Sequence, residues 1–157
     1  GEALDPARVF FLGRVPYDTY LTILRISTAH VYLTYPFVLS WSMLEAMSAG
    51  CLVIASNTAP VEEVIRDGEN GLLVDFFDAR ALADTVASAV EERGRYGAIR
   101  ENARRTVVER YDLKRICLPA QLELIARMPD LAAGSRARHP AAQPIAGDIP
   151  IPQRRAG

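Results

Sequence analysis

The chain has 157 residues, half of them apolar and 24% charged, with a formal net charge of −1. That length holds one domain with a real core, and the near-neutral balance excludes a whole-chain field drawing it to nucleic acid or anionic lipid. Of the eighteen basic residues only Lys114 is not arginine, which composition bias explains more simply than phosphate binding does.

Residues 1–8 form a polar leader. Val9–Gly13 is a short continuous apolar run closed by glycine, the pattern of a strand buried on both faces. Arg14–Asp18 reads as a loop and Tyr20–Ser27 as a helix, followed by a second strand at His30–Thr34. Leu52–Ser56 is the third strand. Val61–Arg66 reads as a short helix, and Asp67–Gly71 as a turn, since glycine and asparagine tolerate positive φ. Leu72–Val74 is a fourth, shorter strand.

From Asp78, which can cap, the chain turns helical with Leu82, Val86, Ala89 and Val90 on one stripe. A second helix carries Ile99, Ala103 and Val107. A third follows Asp112 with Leu118, Leu122 and Ile125, and Pro119 either starts it late or kinks it. Strands alternating with helices through Val74 predict an α/β fold: a partial Rossmann-like parallel sheet of about four strands with flanking helices, spanning residues 9–128. Pro129–Gly157, rich in Pro, Ala and Arg, is expected to be a disordered tail.

Cys51 and Cys117 lie in apolar runs and read as buried residues of a reducing compartment. His30 and His139 are far apart and nothing has ligand spacing, so neither a metal nor a cofactor is expected. No apolar run reaches membrane-spanning length and no signal peptide opens the chain, so the expected location is cytoplasmic. Glutamates at 91, 92, 101 and 109 dilute the arginines at 93, 95, 100, 104, 105 and 110. Those arginines read as exposed helix faces, and peripheral membrane contact is disfavoured.

The chemistry concentrates in Tyr35–Gly50. A strand ends, Pro36 turns the chain, Ser40 and Ser42 can open a helix, Glu45 follows one turn later, and Gly50 stops the helix before the next strand. That arrangement turns backbone N–H groups toward an anion at the carboxyl edge of a parallel sheet. Ser42 and Glu45 also fit a capping box, in which they satisfy each other's backbone donors. Phe37 and Trp41 read as core or cleft wall, with stacking on a sugar ring as the minority alternative. Arg14 reads as a solvated loop charge sooner than as a phosphate partner.

Five blocks occur in register: Phe10–Val15, the Tyr35–Gly50 stretch with its Leu44–Glu45–Ala46–Met47, Gly50–Ile54, Ala59–Ile65 and Asp67–Val74. Together they resemble the carboxyl-terminal, donor-binding domain of glycosyltransferase family 4, whose full-length members have the two-domain GT-B fold. The resemblance runs from about Val9 to Arg127. It implies that Glu45 hydrogen-bonds the ribose of a nucleotide-sugar, that the amides of Leu39, Ser40, Trp41 and Ser42 cradle the diphosphate, and that Gly13 and Arg14 lie near the nucleobase. Glu63 is implied as a supporting acid behind the site.

The sequence departs from that family's pattern at Phe37, which stands eight positions before Glu45 where the family commonly has a glutamate for the donor sugar. Val38 and Ser40 replace usual glycines. Two βα units and an acceptor-binding domain that precede this region in the family have no counterpart. The chain is therefore read as a fragment of a retaining, nucleotide-sugar-dependent glycosyltransferase, inactive by itself. A non-catalytic nucleotide-binding or interaction module is the alternative. Without the two units, either a gap should separate Val9–Leu12 from His30–Thr34, or the two should pair directly.

Overall fold

A computed structural model of the chain describes residues 5–35 and 39–138. Residues 1–117 and 118–157 form separate units. In the first, the elements run α1 (Tyr17–Ile26), β1 (Ala29–Tyr32), α2 (Trp41–Ser48), β2 (Leu52–Ser56), α3 (Ala59–Glu62), β3 (Leu72–Val74), α4 (Ala79–Glu91) and α5 (Gly97–Arg110), ending in a π-helical turn, Leu113–Cys117. The second unit carries α6 (Leu118–Arg138).

The three strands form one parallel sheet in the order β1-β2-β3. β1 pairs with β2 from Ala29 opposite Leu52 to Tyr32 opposite Ala55, and β2 with β3 from Ile54 opposite Leu72. Every residue of β2 is buried, as its unbroken apolar run requires of a central strand covered on both faces. Because side chains alternate along a strand, Val53 and Ala55 join a core with Leu24, Met43, Ala46, Met47, Val61 and Ala103. Leu52 and Ile54 join the opposite core with Val74, Ala89 and Tyr96.

Local chemistry sets several boundaries. Gly50 takes φ +77°, the left-handed conformation that ends α2 and that other residues adopt only under strain. The Asp78 carboxylate accepts from the Ala81 amide at 2.8 Å and caps α4 as expected. α3 begins two residues earlier than the sequence pattern suggests, with Pro60 in its first turn, where a missing N–H costs nothing. Past β1 the chain is held by Ser56, fully buried. Its hydroxyl donates to the Thr34 carbonyl at 3.0 Å and accepts from the Thr34 amide at 3.1 Å.

The expected first strand is not formed. Val9–Gly13 has no strand partner among the described residues, so the sheet has three strands rather than about four. Phe10, Phe11 and Leu12 are 72%, 88% and 60% exposed. A strand exists only where a neighbour completes its ladder, and of the two outcomes expected for this segment the direct pairing with β1 is not formed.

The expected tail also begins too early. α6 continues past Pro129 to Arg138, through Ala132, Ala133, Arg136, Ala137 and Arg138, residues of high helix propensity. Residues 139–157 lie outside the described residues. Pro119 sits in the first turn of α6, a position that tolerates it. Along α6, Leu118, Leu122, Leu124, Ile125 and Met128 are all exposed.

Candidate nucleotide site at the α2 N-terminus

β1 ends at Tyr32, whose ring is buried in the core beside Met43 and Met47. Its hydroxyl accepts the amide proton of Ser40 at 2.8 Å, which places the start of α2 against the carboxyl end of the sheet. Ser40 is the N-cap. Its Oγ accepts from the Ser42 amide at 3.3 Å and lies 3.1 Å from the Ser42 Oγ. Two amides of the expected cradle are thus engaged within the protein, that of Ser40 firmly and that of Ser42 at the long end of hydrogen bonding.

The amide of Trp41 has no partner among the described residues. The two serine hydroxyls share one hydrogen bond, so among the described residues one of their protons has no acceptor. Leu39 is packed against the core, whereas Trp41 is 78% exposed. Phe37, with Pro36 and Val38, lies outside the described residues.

Glu45 projects from α2 toward α1. Its Oε1 accepts from the Tyr17 hydroxyl at 2.9 Å, and no capping box with Ser42 is formed, because Ser40 caps the helix instead. The carboxylate lines a groove of about 540 Å³ bounded by Tyr17, Leu21 and Arg25 of α1, Trp41, Leu44 and Ser48 of α2, and Arg104 and Val107 of α5, with Tyr111 beyond. That volume is in the range of small-molecule sites.

The hydrogen bond to Glu45, followed by burial, raises the Tyr17 phenol above its usual value. The Tyr20 phenol is pushed up to about 12, first by burial and then by the Glu45 charge. Its hydroxyl is buried and finds no hydrogen-bond partner among the described residues.

The remaining expected site residues are less involved. Gly13 holds φ +61° and Arg14 is exposed, consistent with an open loop. Glu63 is exposed and its side chain makes no hydrogen bond among the described residues, so nothing ties it to Glu45.

Sequence reasoning missed Tyr17, Arg25, Arg104 and Tyr111 as groove walls. Two arginines read as exposed helix faces also reach distant carbonyls: Arg100, only partly exposed, donates to the Thr28 carbonyl at 2.7 Å, and Arg104, exposed as expected, donates to the Ser48 carbonyl at the end of α2. Cations suit helix C-termini because the last carbonyls lack intrahelical donors. The only sequence signal for the Tyr17 contact was a second tyrosine three residues on, at Tyr20, on the same helical face.

Comparison with known proteins locates these elements. The family described as glycosyl transferases group 1 matches residues 2–106. The chain is 33% identical over 99 residues to the D-inositol 3-phosphate glycosyltransferase of Rhodococcus jostii, a match covering 63% of this chain and 22% of that protein. It is 26% identical over 108 residues to an uncharacterized glycosyltransferase of Methanocaldococcus jannaschii, covering 68% of this chain and 28% of that protein. The chain therefore spans under a third of the relatives it matches.

Among solved structures, sucrose-phosphate synthase from Thermosynechococcus elongatus superposes with a TM-score of 0.65 at 28% identity, covering 81% of this chain and 31% of that one. Anabaena HepE in complex with UDP superposes at 0.58 and 21% identity, covering 66% and 29%, a likeness of fold alone.

Proposed function

Because this chain belongs to the group 1 glycosyl transferases, of GT-B fold, we propose that it is part of a donor-binding half-site for a nucleotide-sugar. The observation that carries this reading is the placement of Glu45. Its carboxylate stands in an open groove one turn beyond a helix start whose Trp41 amide has no partner among the described residues. That amide and a serine hydroxyl oppose the charge that develops on a departing nucleoside diphosphate. The acid accepts the hydroxyl groups of the ribose.

In this reading the parent enzyme transfers the sugar with retention of configuration, in the cytoplasm, to an acceptor held by a domain outside this chain. The described residues supply no acceptor site and few cations at the α2 start, so the isolated chain binds without catalysing transfer. Glu63, exposed and without a side-chain hydrogen bond among the described residues, plays a supporting part at the edge of the site.

Titration calorimetry of the chain with UDP, GDP and ADP, then with their sugar-linked forms, tests this. Heat of binding with at least one diphosphate is expected, and no heat with any of them sinks the reading. Measurable sugar transfer by the purified chain overturns its inactivity. A second reading, a non-catalytic nucleotide-binding module, is favoured by the apolar Phe37 eight positions before Glu45, since a phenyl ring accepts no hydrogen bond from a sugar hydroxyl. Sugar-linked forms that bind no better than the bare diphosphates support the module.

A further inference from the structure

A glutamate on an open helix face has several rotamers and loses entropy when one is selected. Glu45 has a reason to keep one. The Tyr17 hydroxyl reaches it from α1 at 2.9 Å across 28 sequence positions. The Tyr17 and Tyr20 rings lie 6.1 Å apart, and Tyr20 feels the charge of the same carboxylate. Two phenols therefore stand on the α1 side of the acid. Oε2 has no hydrogen-bond partner among the described residues, and the groove that Glu45 lines is open to it.

We propose that Tyr17 is a positioning residue that holds the Glu45 carboxylate for a ribose diol, so that the site selects ribonucleoside over 2′-deoxyribonucleoside diphosphates. The inference rests on the donor-binding reading and deepens it. An ionised carboxylate only accepts, and a ribose presents two neighbouring hydroxyl donors. With Oε1 held by Tyr17, its remaining lone pair and those of Oε2 face a diol at fixed spacing. A 2′-deoxy sugar leaves one of these acceptors desolvated and unpaired, and the unpaired charged group carries most of the penalty. A free carboxylate re-orients toward the single remaining hydroxyl and discriminates less.

The test is calorimetry on the full chain with UDP against 2′-deoxy-UDP and GDP against 2′-deoxy-GDP, for the wild type and Tyr17→Phe. The wild type should favour the ribo form by roughly tenfold or more. In Tyr17→Phe that preference should shrink to about threefold or less, with the affinity for inorganic pyrophosphate unchanged. A variant that keeps the full preference overturns the proposal, as does a wild type that binds both sugars equally; either result leaves the donor reading standing. A wild type that binds neither nucleotide fails the donor reading itself and takes the positioning role with it.

Tyr17 is 59% exposed, so the variant should fold, which a thermal melt checks. If it does not, ultraviolet phenol titration of Glu45→Gln reads the contact directly. Read in a Tyr20→Phe background, a fall in one tyrosine ionisation supports the Tyr17–Glu45 bond, and an unchanged titration overturns it.

Discussion

The Tyr32 hydroxyl accepts the Ser40 amide proton at 2.8 Å, tying the end of β1 to the N-cap of α2. The bond joins the strand that aims the chain at the sheet's carboxyl edge to the helix that presents amides there. Tyr32→Phe keeps the ring in the core and removes the acceptor. The Ser40 amide is part-buried, so its loss of a partner should cost about 1–2 kcal/mol in urea denaturation. Unchanged stability would mean that water replaces the phenol at no cost.

Glu45→Ala removes the only carboxylate that lines the groove among the described residues. Nucleoside diphosphate affinity should fall by roughly tenfold or more, the scale of a hydrogen bond to a charged group. The melting temperature should move little, because the residue contributes no core packing. Calorimetry and a thermal melt of the same sample separate the two effects, and equal losses in both would assign Glu45 a structural role.

Gly71 stands where the turn re-enters the sheet. A Cβ there would meet Ile65 Cγ2 at 2.8 Å and Cδ1 at 3.2 Å. Ile65 is among the fully buried side chains, so it cannot swing aside into water. Gly71→Ala should destabilise by about 1–3 kcal/mol through overpacking. In that background Ile65→Ala should cost less than it does in the wild type, and a double-mutant cycle measures the coupling. Additive losses would place the strain elsewhere.

His30 lies on β1 with its Nε2 buried and without a hydrogen-bond partner among the described residues, and burial lowers its pKa below the usual 6.5. The unfolded chain therefore binds a proton that the folded chain refuses. Stability from this group is intact above 6.5 and is lost as pH falls through the lowered folded value. Urea midpoints should drop between pH 7 and pH 5, and His30→Val should flatten that dependence relative to the wild type. A variant with the same acid slope would trace the loss to carboxylates instead.

Much of the site was legible without coordinates because it is built from short-range rules. Ser40 ahead of an apolar run, Gly50 at the far end and the unbroken Cys51–Ser56 run are a cap, a stop and a central strand, each decided within a few residues. The same holds for Asp78 at the head of α4. Cap competition was harder to read: Ser40 and Ser42 both qualify, and the hydrogen bond from the Ser40 amide to Tyr32 anchors the first of them at the strand end.

What the chain's order of residues determined alone is the α/β alternation, the position of α2 and the presence of an acid one turn into it, since periodicity and capping act locally. Tertiary structure decided the rest. Val9–Gly13 has strand composition but no strand, because a ladder needs a neighbour and β1 offers none to it. Glu45 turns to Tyr17, and Arg100 and Arg104 bind carbonyls 72 and 56 positions away. Such contacts depend on where packed helices bring distant atoms together, and no local pattern carries that distance.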